Sequence, residues 1–299
     1  MVLIALEESI QSSLTYWLQS QGHHGVTNDE TACQKLAIDF AHLSPYLNTN
    51  TPVPSHWPEQ QHWLLIDAHL SHNQLISAIH AGCKHISLAP IDQDHLQQWL
   101  AGKPQIIDLQ CQWPGQQHAR SNTEQKLEPE PMLLPFINCL MGNDWSDIQK
   151  TDAAEVIGWR NLALQAEPYT QLNTANKLSS IEFAQLACHT LSGQQWLTIH
   201  GLEQAAIIAS QHHEHWDGSG YPNGVTGTEI FQAARLAKLY DSYMGLRRNK
   251  TYAKACDHHS AMRKLSYGDG YVSPHHFDPQ LLARLQAKER QIETLYASL

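Results

Sequence analysis

The sequence has few basic residues, no long apolar run and no paired-cysteine motif, and each absence excludes a class of protein. Lys and Arg number 19 against 29 Asp and Glu, so the formal net charge of -10 argues against general nucleic-acid binding. No apolar run approaches the roughly 20 residues that span a bilayer, so no membrane partner is expected. The opening residues Met1–Leu6 carry no positive charge, and the acidic Glu7 and Glu8 follow them directly. This pattern is unlike that of a signal peptide.

Six cysteines are present, and none lies in a CxxC spacing. We therefore expect reduced thiols in a cytoplasmic protein. A length of 299 residues suits one large or two ordinary domains, and the hydrophobic content of 42% is that of a folded globular chain. Twenty histidines are present, and most fall outside any pattern, where surface or packing roles are the expectation.

The first hundred residues alternate short apolar runs with segments of helical period, which predicts an α/β domain. The predicted strands are Val2–Leu6, Leu36–Phe40, Trp63–Ile66 and Ile86–Leu88, and the predicted helices are Ile10–Ser20, Ser71–Ala81 and Asp94–Leu100. We place this domain at residues 1–103. Residues 104–131 are rich in Pro and Gln without a sustained apolar period, which is typical of a linker.

The run Leu64–Leu100 resembles the second half of a response-regulator receiver domain, with Ala81–Lys84 at the receiver's Ala-Gly turn. In receivers, phosphorylation uses an acidic pair, an acceptor aspartate, a hydroxyl and a lysine. Glu7 with Glu8 could supply the pair and Asp39 the acceptor. However, the resemblance puts Asp67 in place of the hydroxyl and Ala89 in place of the lysine. It therefore implies a receiver-like (pseudo-receiver) domain for packing and partner contact, with a phosphorylated receiver as the alternative.

Residues 132–299 read as an all-helical domain, and three of its predicted helices place polar residues on buried faces. The helix Leu202–His213 brings His212 and His213 onto its apolar face, and Thr228–Leu246 does the same with Asp241. Ser179–Leu191 opens with a Ser179/Glu182 capping box and places His189 beside its apolar face. Buried polar groups need partners, and imidazoles with carboxylates are good ligands for a transition metal.

A loop dense in glycine and proline follows the two adjacent histidines. The run Gln211–Gly224 contains His212-His213-Glu214 and then Gly218-Ser219-Gly220-Tyr221-Pro222. It resembles the signature of the HD-GYP family, metal-dependent phosphohydrolases of the HD domain superfamily that hydrolyse the second messenger cyclic di-GMP. Arg235–Asp241 is similar to the family's helix ending in a metal-binding aspartate, and the resemblance extends over about residues 150–285.

The resemblance implies roles for particular residues of this chain. It implies metal ligation by His189, His212, His213 and Asp241, with Glu214 or Asp217 assisting catalysis if the site is active. It implies ligand binding by Gly218, Gly220, Tyr221, Pro222, Lys250 and Tyr252. The family's second aspartate on the last helix is Met244 here.

The family's His-Asp pair is replaced in this chain. Its positions are held by Arg160 and Asn161, and the lysine expected three residues later is Leu164. All three are predicted on the same buried face of one helix. Because a guanidinium cannot ligate a metal and repels a neighbouring cation, we expect Arg160 to pair with Asp241 and neutralise it.

These observations favour a bacterial signal-transduction protein with a degenerate HD-GYP domain that lacks, or nearly lacks, phosphodiesterase activity. It would act by binding signalling proteins or cyclic di-GMP. A homodimer is also possible. The alternative is an active metal-dependent cyclic di-GMP phosphodiesterase using the remaining ligands. The site is expected to hold no metal or a weakly bound one, the alternative being one divalent ion of iron, manganese, zinc or nickel.

Overall fold

The computed structural model describes residues 2–5, 8–20, 22, 25–27, 35–38, 43, 63–67, 70–80, 83, 85–88, 93–101, 130–166, 169–173, 178–249 and 254–298. These residues fall into two compact units. The first takes in the described residues of Met1–Gln110 together with Ser179–Cys188. The second takes in those of Cys111–Leu178 and His189–Leu299.

The first unit is built on a parallel five-stranded sheet. Its strands are β1 (Val2–Ala5), β2 (Gly25–Thr27), β3 (Lys35–Ile38), β4 (Trp63–Asp67) and β5 (His85–Leu88), and their order is β2-β1-β3-β4-β5. This is one of the common orders of doubly wound α/β domains. Consecutive residues of β3 and β4 are fully buried, as expected when helices cover both faces of a parallel sheet.

Each strand and helix predicted for this region has a counterpart in the structure. The helices are α1 (Glu8–Ser20), α2 (His72–His80) and α3 (Gln93–Leu100). Leu14 and Leu18 of α1 share a buried cluster with Leu96 and Trp99 of α3. Strand β2 was not predicted, because three residues with one strongly apolar side chain, Val26, carry no period to detect.

The residues that bear on the receiver resemblance are only partly covered. Glu7, Asp39 and Ala89 lie outside the described residues. Glu8 begins α1 and Asp67 ends β4, but their side chains are not among those described. The α/β architecture is present, and the receiver-like chemistry stays a prediction.

The predicted helix Ser179–Leu191 is in fact two helices. The capping box of Ser179 and Glu182 is present, and it opens α7 (Ser180–Ala187). Helix α7 packs against α2 in the first unit, and Cys188 Sγ lies 3.6 Å from the Ile76 carbonyl oxygen. The N–H of Cys188 is shared between the Ala184 and Gln185 carbonyls, at 3.2 and 3.3 Å, and this closes the helix before His189 begins the next.

The described residues of the second unit form helices joined by loops. Its α-helices are α4 (Leu133–Met141), α5 (Asp147–Gly158), α6 (Tyr169–Asn173), α8 (His189–Ile199), α9 (Glu203–Gln211), α10 (Gln232–Arg247), α11 (His258–Tyr267), α12 (Pro279–Ala287) and α13 (Glu289–Ala297). Short 3-10 helices span Trp159–Gln165, Gly227–Glu229 and Pro274–His276. Phe136 of α4 anchors the core against Tyr240 and Tyr243 of α10, with ring centroids 5.3 and 6.1 Å apart.

Helix α5 ends earlier than the sequence suggested. It was expected to carry Arg160, Asn161 and Leu164 on one buried face, but it ends at Gly158 and the chain tightens into the 3-10 helix Trp159–Gln165. Asn161 has φ -101° and ψ 15°, outside the helical region. In this 3-10 helix Leu162 and Ala163 are consequently fully buried, whereas Leu164 is partly exposed.

No helix among the described residues combines the length and the apolar character that crossing a bilayer requires.

The N-terminal cap of α5 offers a test of the second unit, since this helix leads directly to Arg160. Ser146 Oγ accepts from the Gln149 N–H, and Gln149 Oε1 accepts from the Ser146 N–H at 2.9 Å. We expect Ser146→Ala to lower the free energy of unfolding by about 1 kcal/mol in urea denaturation followed by circular dichroism. Ser298→Ala, at an exposed helix end, is the matched control, and equal losses in both variants would contradict the assignment.

Candidate functional site

Three histidines from two helix ends meet in the interior of the second unit. His189 is the first residue of α8, and His212 and His213 directly follow α9. His189 and His212 are buried and His213 is partly buried, and one nitrogen of each ring lies within 4.8 Å of the others. The sequence therefore identified a real cluster, although no single helix contains it.

Small residues bring these rings together. A Cβ on Gly193 of α8 would lie 3.6 Å from the Ala209 Cβ of α9 and 3.7 Å from the Ala163 Cβ of the 3-10 helix. Such spacing lets the three backbones approach closely at this level. The close approach carries His189 and His212 to a distance of 3.4 Å between their Nε2 atoms.

The hydrogen bonds of His212 fix which of its nitrogens faces the cluster. Nδ1 lies 2.9 Å from the Ala209 carbonyl oxygen, so Nδ1 carries the proton and donates it. Nε2 then presents a lone pair, 3.2 Å from Oδ1 of Asn161. Burial, followed by the nearby His189 and the charge of Arg160, holds the pKa of His212 well below its usual value, so the ring is neutral. Burial and the neighbouring rings lower the pKa of His213 in the same way.

Arg160 is a fully buried cation that joins two carboxylates. Its Nε and one terminal nitrogen donate to the two oxygens of Asp241 at 2.8 and 2.6 Å. The other terminal nitrogen donates to the Ile157 carbonyl at 3.0 Å and lies 2.7 Å from Oε1 of Glu130. Burial alone would lower the pKa of Arg160, but the charges of Asp241 and Glu130 raise it. The expected pairing of Arg160 with Asp241 is therefore present.

Glu130 is a site residue that the sequence did not reveal. It falls in the predicted linker, within Glu128-Pro129-Glu130-Pro131, yet it lies in the second unit and contacts Arg160. Burial would raise the pKa of Glu130, and the hydrogen bond and charge of Arg160 lower it overall. One feature of the sequence could have indicated Glu130: it is an acidic residue immediately before the first apolar helix. A buried arginine has five N–H donors and needs such acceptors.

Asp241 is engaged by Arg160 through both of its carboxylate oxygens. Both of its oxygens receive hydrogen bonds from Arg160, and its side chain is 24% exposed. Among the described residues, the group with metal-binding geometry comprises the three histidines without this aspartate. Met244, where the family has a further aspartate, is buried in the apolar core.

The glycine loop after the histidines is held by Glu214. This carboxylate is almost fully buried, and its two oxygens accept from the N–H groups of Asn223 at 2.7 Å and Gly224 at 3.0 Å. Burial raises the pKa of Glu214, and these backbone hydrogen bonds oppose the rise. Glu214 was a candidate for catalysis, but here its oxygens fold the loop.

The two central glycines are required by close contacts. A Cβ on Gly220 would lie 2.3 Å from the backbone nitrogen of His215, which no real side chain tolerates. Gly218 has φ +80°, and a Cβ there would lie 2.6 Å from Thr226 Cγ2. The loop thereby turns back onto the segment that carries the histidines.

The remaining predicted site residues differ in where they lie and in how far they are exposed. Tyr221 stacks on His213, with ring centroids 4.8 Å apart, and Pro222 is buried beside it. Asp217 is exposed; burial would raise its pKa, but hydrogen bonds from the Ser219 hydroxyl and N–H lower it. Lys250 and Tyr252 lie outside the described residues.

The residues fit one metal ion and do not fit two. Imidazole nitrogens suit a divalent transition metal, and the three rings offer them within 4.8 Å, with the lone pair of His212 Nε2 turned inward. A second ion would need bridging carboxylates, but Asn161 is neutral and Asp241 is engaged by Arg160. Burial, His189 and the charge of Arg160 together lower the pKa of His212. The charge of Arg160 also opposes a cation at Nε2 of His212.

Comparison with known proteins supports a relationship over the helical region. The profile of the HD domain family matches residues 105–281. A Vibrio cholerae protein named as a cyclic di-GMP phosphodiesterase is 33% identical over 138 residues, covering 44% of this chain and 27% of that protein. A Pseudomonas aeruginosa protein of the same description is 29% identical over 123 residues, covering 40% and 28%.

A third relative carries a different substrate in its name. A Vibrio cholerae 3'3'-cGAMP-specific phosphodiesterase is 29% identical over 137 residues, covering 45% of this chain and 26% of that protein. The matched region thus spans about a quarter of the length of these curated relatives.

Substituting Gly220 tests the close turn of the loop. We expect Gly220→Ala to lower the free energy of unfolding by more than about 1 kcal/mol, because the added methyl would collide with backbone atoms of Glu214 and His215. Gly158→Ala is the control: a Cβ there meets nothing within 4 Å, so unfolding should be unchanged or slightly harder. Similar urea midpoints for the two variants would contradict this loop geometry.

Removing Arg160 tests the buried ion pair. We expect Arg160→Met to lower the free energy of unfolding by about 3 kcal/mol, because it leaves the carboxylates of Asp241 and Glu130 without their cation. Adding Asp241→Asn should recover a large part of that loss, as thermal or urea unfolding can measure. The exposed Arg290→Met serves as control, and a second substitution that adds to the loss would contradict the pairing.

Proposed function

The chain belongs to the HD domain family, whose profile matches more than half of its residues, and we propose that it is a signalling protein with a degenerate HD-GYP site. In this proposal the site binds a cyclic dinucleotide or a protein partner without hydrolysing a phosphodiester at an appreciable rate. Relatives named as cyclic di-GMP phosphodiesterases support cyclic di-GMP as the first ligand to test.

The observation that carries the proposal is the two-point contact between Arg160 and Asp241. It supplies the aspartate with a permanent internal cation at 2.6 and 2.8 Å. A guanidinium stays protonated at any physiological pH, so this counter-ion is always present. Metal binding at Asp241 would have to displace it.

Asn161 removes the second requirement for hydrolysis. An aspartate can bridge ions and support the nucleophilic hydroxide, whereas an asparagine is neutral and a poor bridge. Its Oδ1 lies 3.2 Å from Nε2 of His212, and with the amide turned over Nδ2 would donate to the lone pair of that nitrogen. In that orientation the contact with His212 needs no metal.

A second candidate function is favoured by the convergence of His189, His212 and His213 within 4.8 Å. These residues would hold a single divalent ion, which when bound would supply Lewis-acid activation of a water or a phosphoryl oxygen. The chain would then be an active metal-dependent phosphodiesterase. Asp217 is the exposed carboxylate of the adjoining loop, whereas Glu214 is committed to loop hydrogen bonds.

We further propose that the α/β unit is receiver-like and acts in partner contact. The parallel strand order β2-β1-β3-β4-β5 supports a doubly wound domain of this kind. The motif positions Asp67 and Ala89, where receivers use a hydroxyl and a lysine, favour a role without phosphoryl transfer.

Metal content, ligand binding and turnover together test the proposal. We expect the protein purified without chelators to hold well under one equivalent of iron, manganese, zinc or nickel by elemental analysis. Calorimetry in the presence of a chelator should still detect cyclic di-GMP binding, and added Mn²⁺ or Fe²⁺ should produce no hydrolysis above that of His212→Ala.

Restoring the family's residues supplies the matched comparison. Arg160→His with Asn161→Asp is expected to raise the bound metal towards stoichiometry, and adding His189→Ala should abolish the gain. Stoichiometric metal in the unmodified protein, with turnover that His212→Ala abolishes, would establish the active enzyme instead. Absence of any cyclic di-GMP binding would leave protein partners as the function.

A further inference from the structure

Lys238 presents its ammonium group to a group of imidazoles beside the histidine cluster. It lies on α10, one turn before Asp241, and its Nζ is 2.9 Å from Nε2 of His215. Together with burial, its charge contributes to the lowered pKa of His213, His215 and His276. The contact with Nε2 places the ammonium group directly beside the His215 ring.

Within the described part of the chain, no carboxylate contacts this cation. Burial lowers the pKa of Lys238 to about 8, and Asp241 and Asp217 act in the opposite direction from a distance. Both oxygens of Asp241 are engaged by Arg160, and Oδ1 of Asp217 accepts the N–H and the hydroxyl of Ser219 at 3.0 and 2.6 Å. A partly buried ammonium without a contacting counter-ion is costly, and a bound anion would relieve that cost.

The hydrogen bonds around His215 leave donors of Lys238 available. An ammonium group only donates, so Nε2 of His215 accepts, and its Nδ1–H donates to Oγ of Ser219 at 2.8 Å. The Ser219 hydroxyl in turn donates to Asp217. One N–H of Lys238 is used in this chain of contacts, and two remain for a ligand.

His276 supplies a further donor on a ring that stacks against His215. Its ring stacks on His215, with centroids 3.8 Å apart. Its Nδ1 accepts from the Ser273 N–H at 3.3 Å, so the neutral ring carries its proton on Nε2. No acceptor for this Nε2–H occurs among the described residues, and Lys238, His215 and His276 are all partly exposed, so a solute can reach them.

We propose that Lys238 and His276 form an anion-binding subsite that takes a phosphate group, with His215 holding the lysine in place. Both groups adjoin His215: the cation contacts its Nε2, and the neutral N–H donor belongs to the ring stacked on it. Phosphate oxygens match this set because they accept charge-assisted and neutral hydrogen bonds together. The phosphate could belong to free phosphate or to the phosphodiester of a nucleotide. Only the choice between these sources rests on the function proposed above.

Inorganic phosphate tests the subsite without reference to a nucleotide. We expect calorimetry on the full chain to show phosphate binding that Lys238→Gln weakens at least about tenfold, since it keeps a donor for His215 but removes the charge. His276→Asn, which retains an acceptor for the Ser273 N–H and loses the outward donor, should weaken binding by a smaller factor. Lys288→Met, at an exposed position, should leave it unchanged.

Melting temperature gives an independent readout. In phosphate-free buffer Lys238→Met should melt at or above the temperature of the unmodified protein, because it removes a charge that has no contacting counter-ion. Added phosphate should then stabilise the unmodified protein and not this variant. A Lys238 that serves only folding would give the opposite result, a lower melting temperature that phosphate does not alter.

The same titrations separate the two sources of the anion. Cyclic di-GMP binding weakened by Lys238→Gln would assign the subsite to a nucleotide phosphodiester, and phosphate binding without cyclic di-GMP binding would assign it to free phosphate. The subsite is overturned if the unmodified protein binds neither, or if Lys238→Gln and His276→Asn both bind phosphate as the unmodified protein does. The outcome of these titrations depends neither on metal content nor on turnover.

Discussion

The second unit depends on how the carboxylate of Asp241 is neutralised on an otherwise apolar face of α10. An unpaired charge in that position would cost several kcal/mol. The chain supplies Arg160, whose fork binds both aspartate oxygens and extends to Glu130 and to the Ile157 carbonyl. Three segments, at residue 130, at the end of α5 and in α10, are thereby tied to one guanidinium.

Close packing makes the rest of the site possible. Gly193, Ala209 and Ala163 allow α8, α9 and the 3-10 helix to approach, and His189 and His212 meet as a result. Glu214 then folds the following loop through backbone hydrogen bonds, and Gly220 lets that loop return against His215. Glu214, a catalytic candidate of the motif, therefore holds the loop with a backbone N–H on each of its two oxygens.

Arg160 and Lys238 are two cations near one aspartate, and their surroundings differ. Arg160 is fully buried and every nitrogen of its guanidinium meets an acceptor. Lys238 is partly exposed and contacts a neutral imidazole, and no carboxylate of the described residues contacts it. This difference is why we propose a structural role for Arg160 and ligand binding for Lys238.

The sequence by itself determined the α/β and helical halves and the inward faces holding His212, His213 and Asp241, because periodicity and motif spacing are local properties. It misjudged the helices around His189 and Leu164, where a break at Cys188 and a 3-10 turn after Gly158 change which side chains face inward. It also missed the contact of Glu130 with Arg160 and that of Lys238 with the neutral imidazole of His215. Only the tertiary structure decided these, since the partner of a buried charge is chosen by packing between segments far apart in the chain.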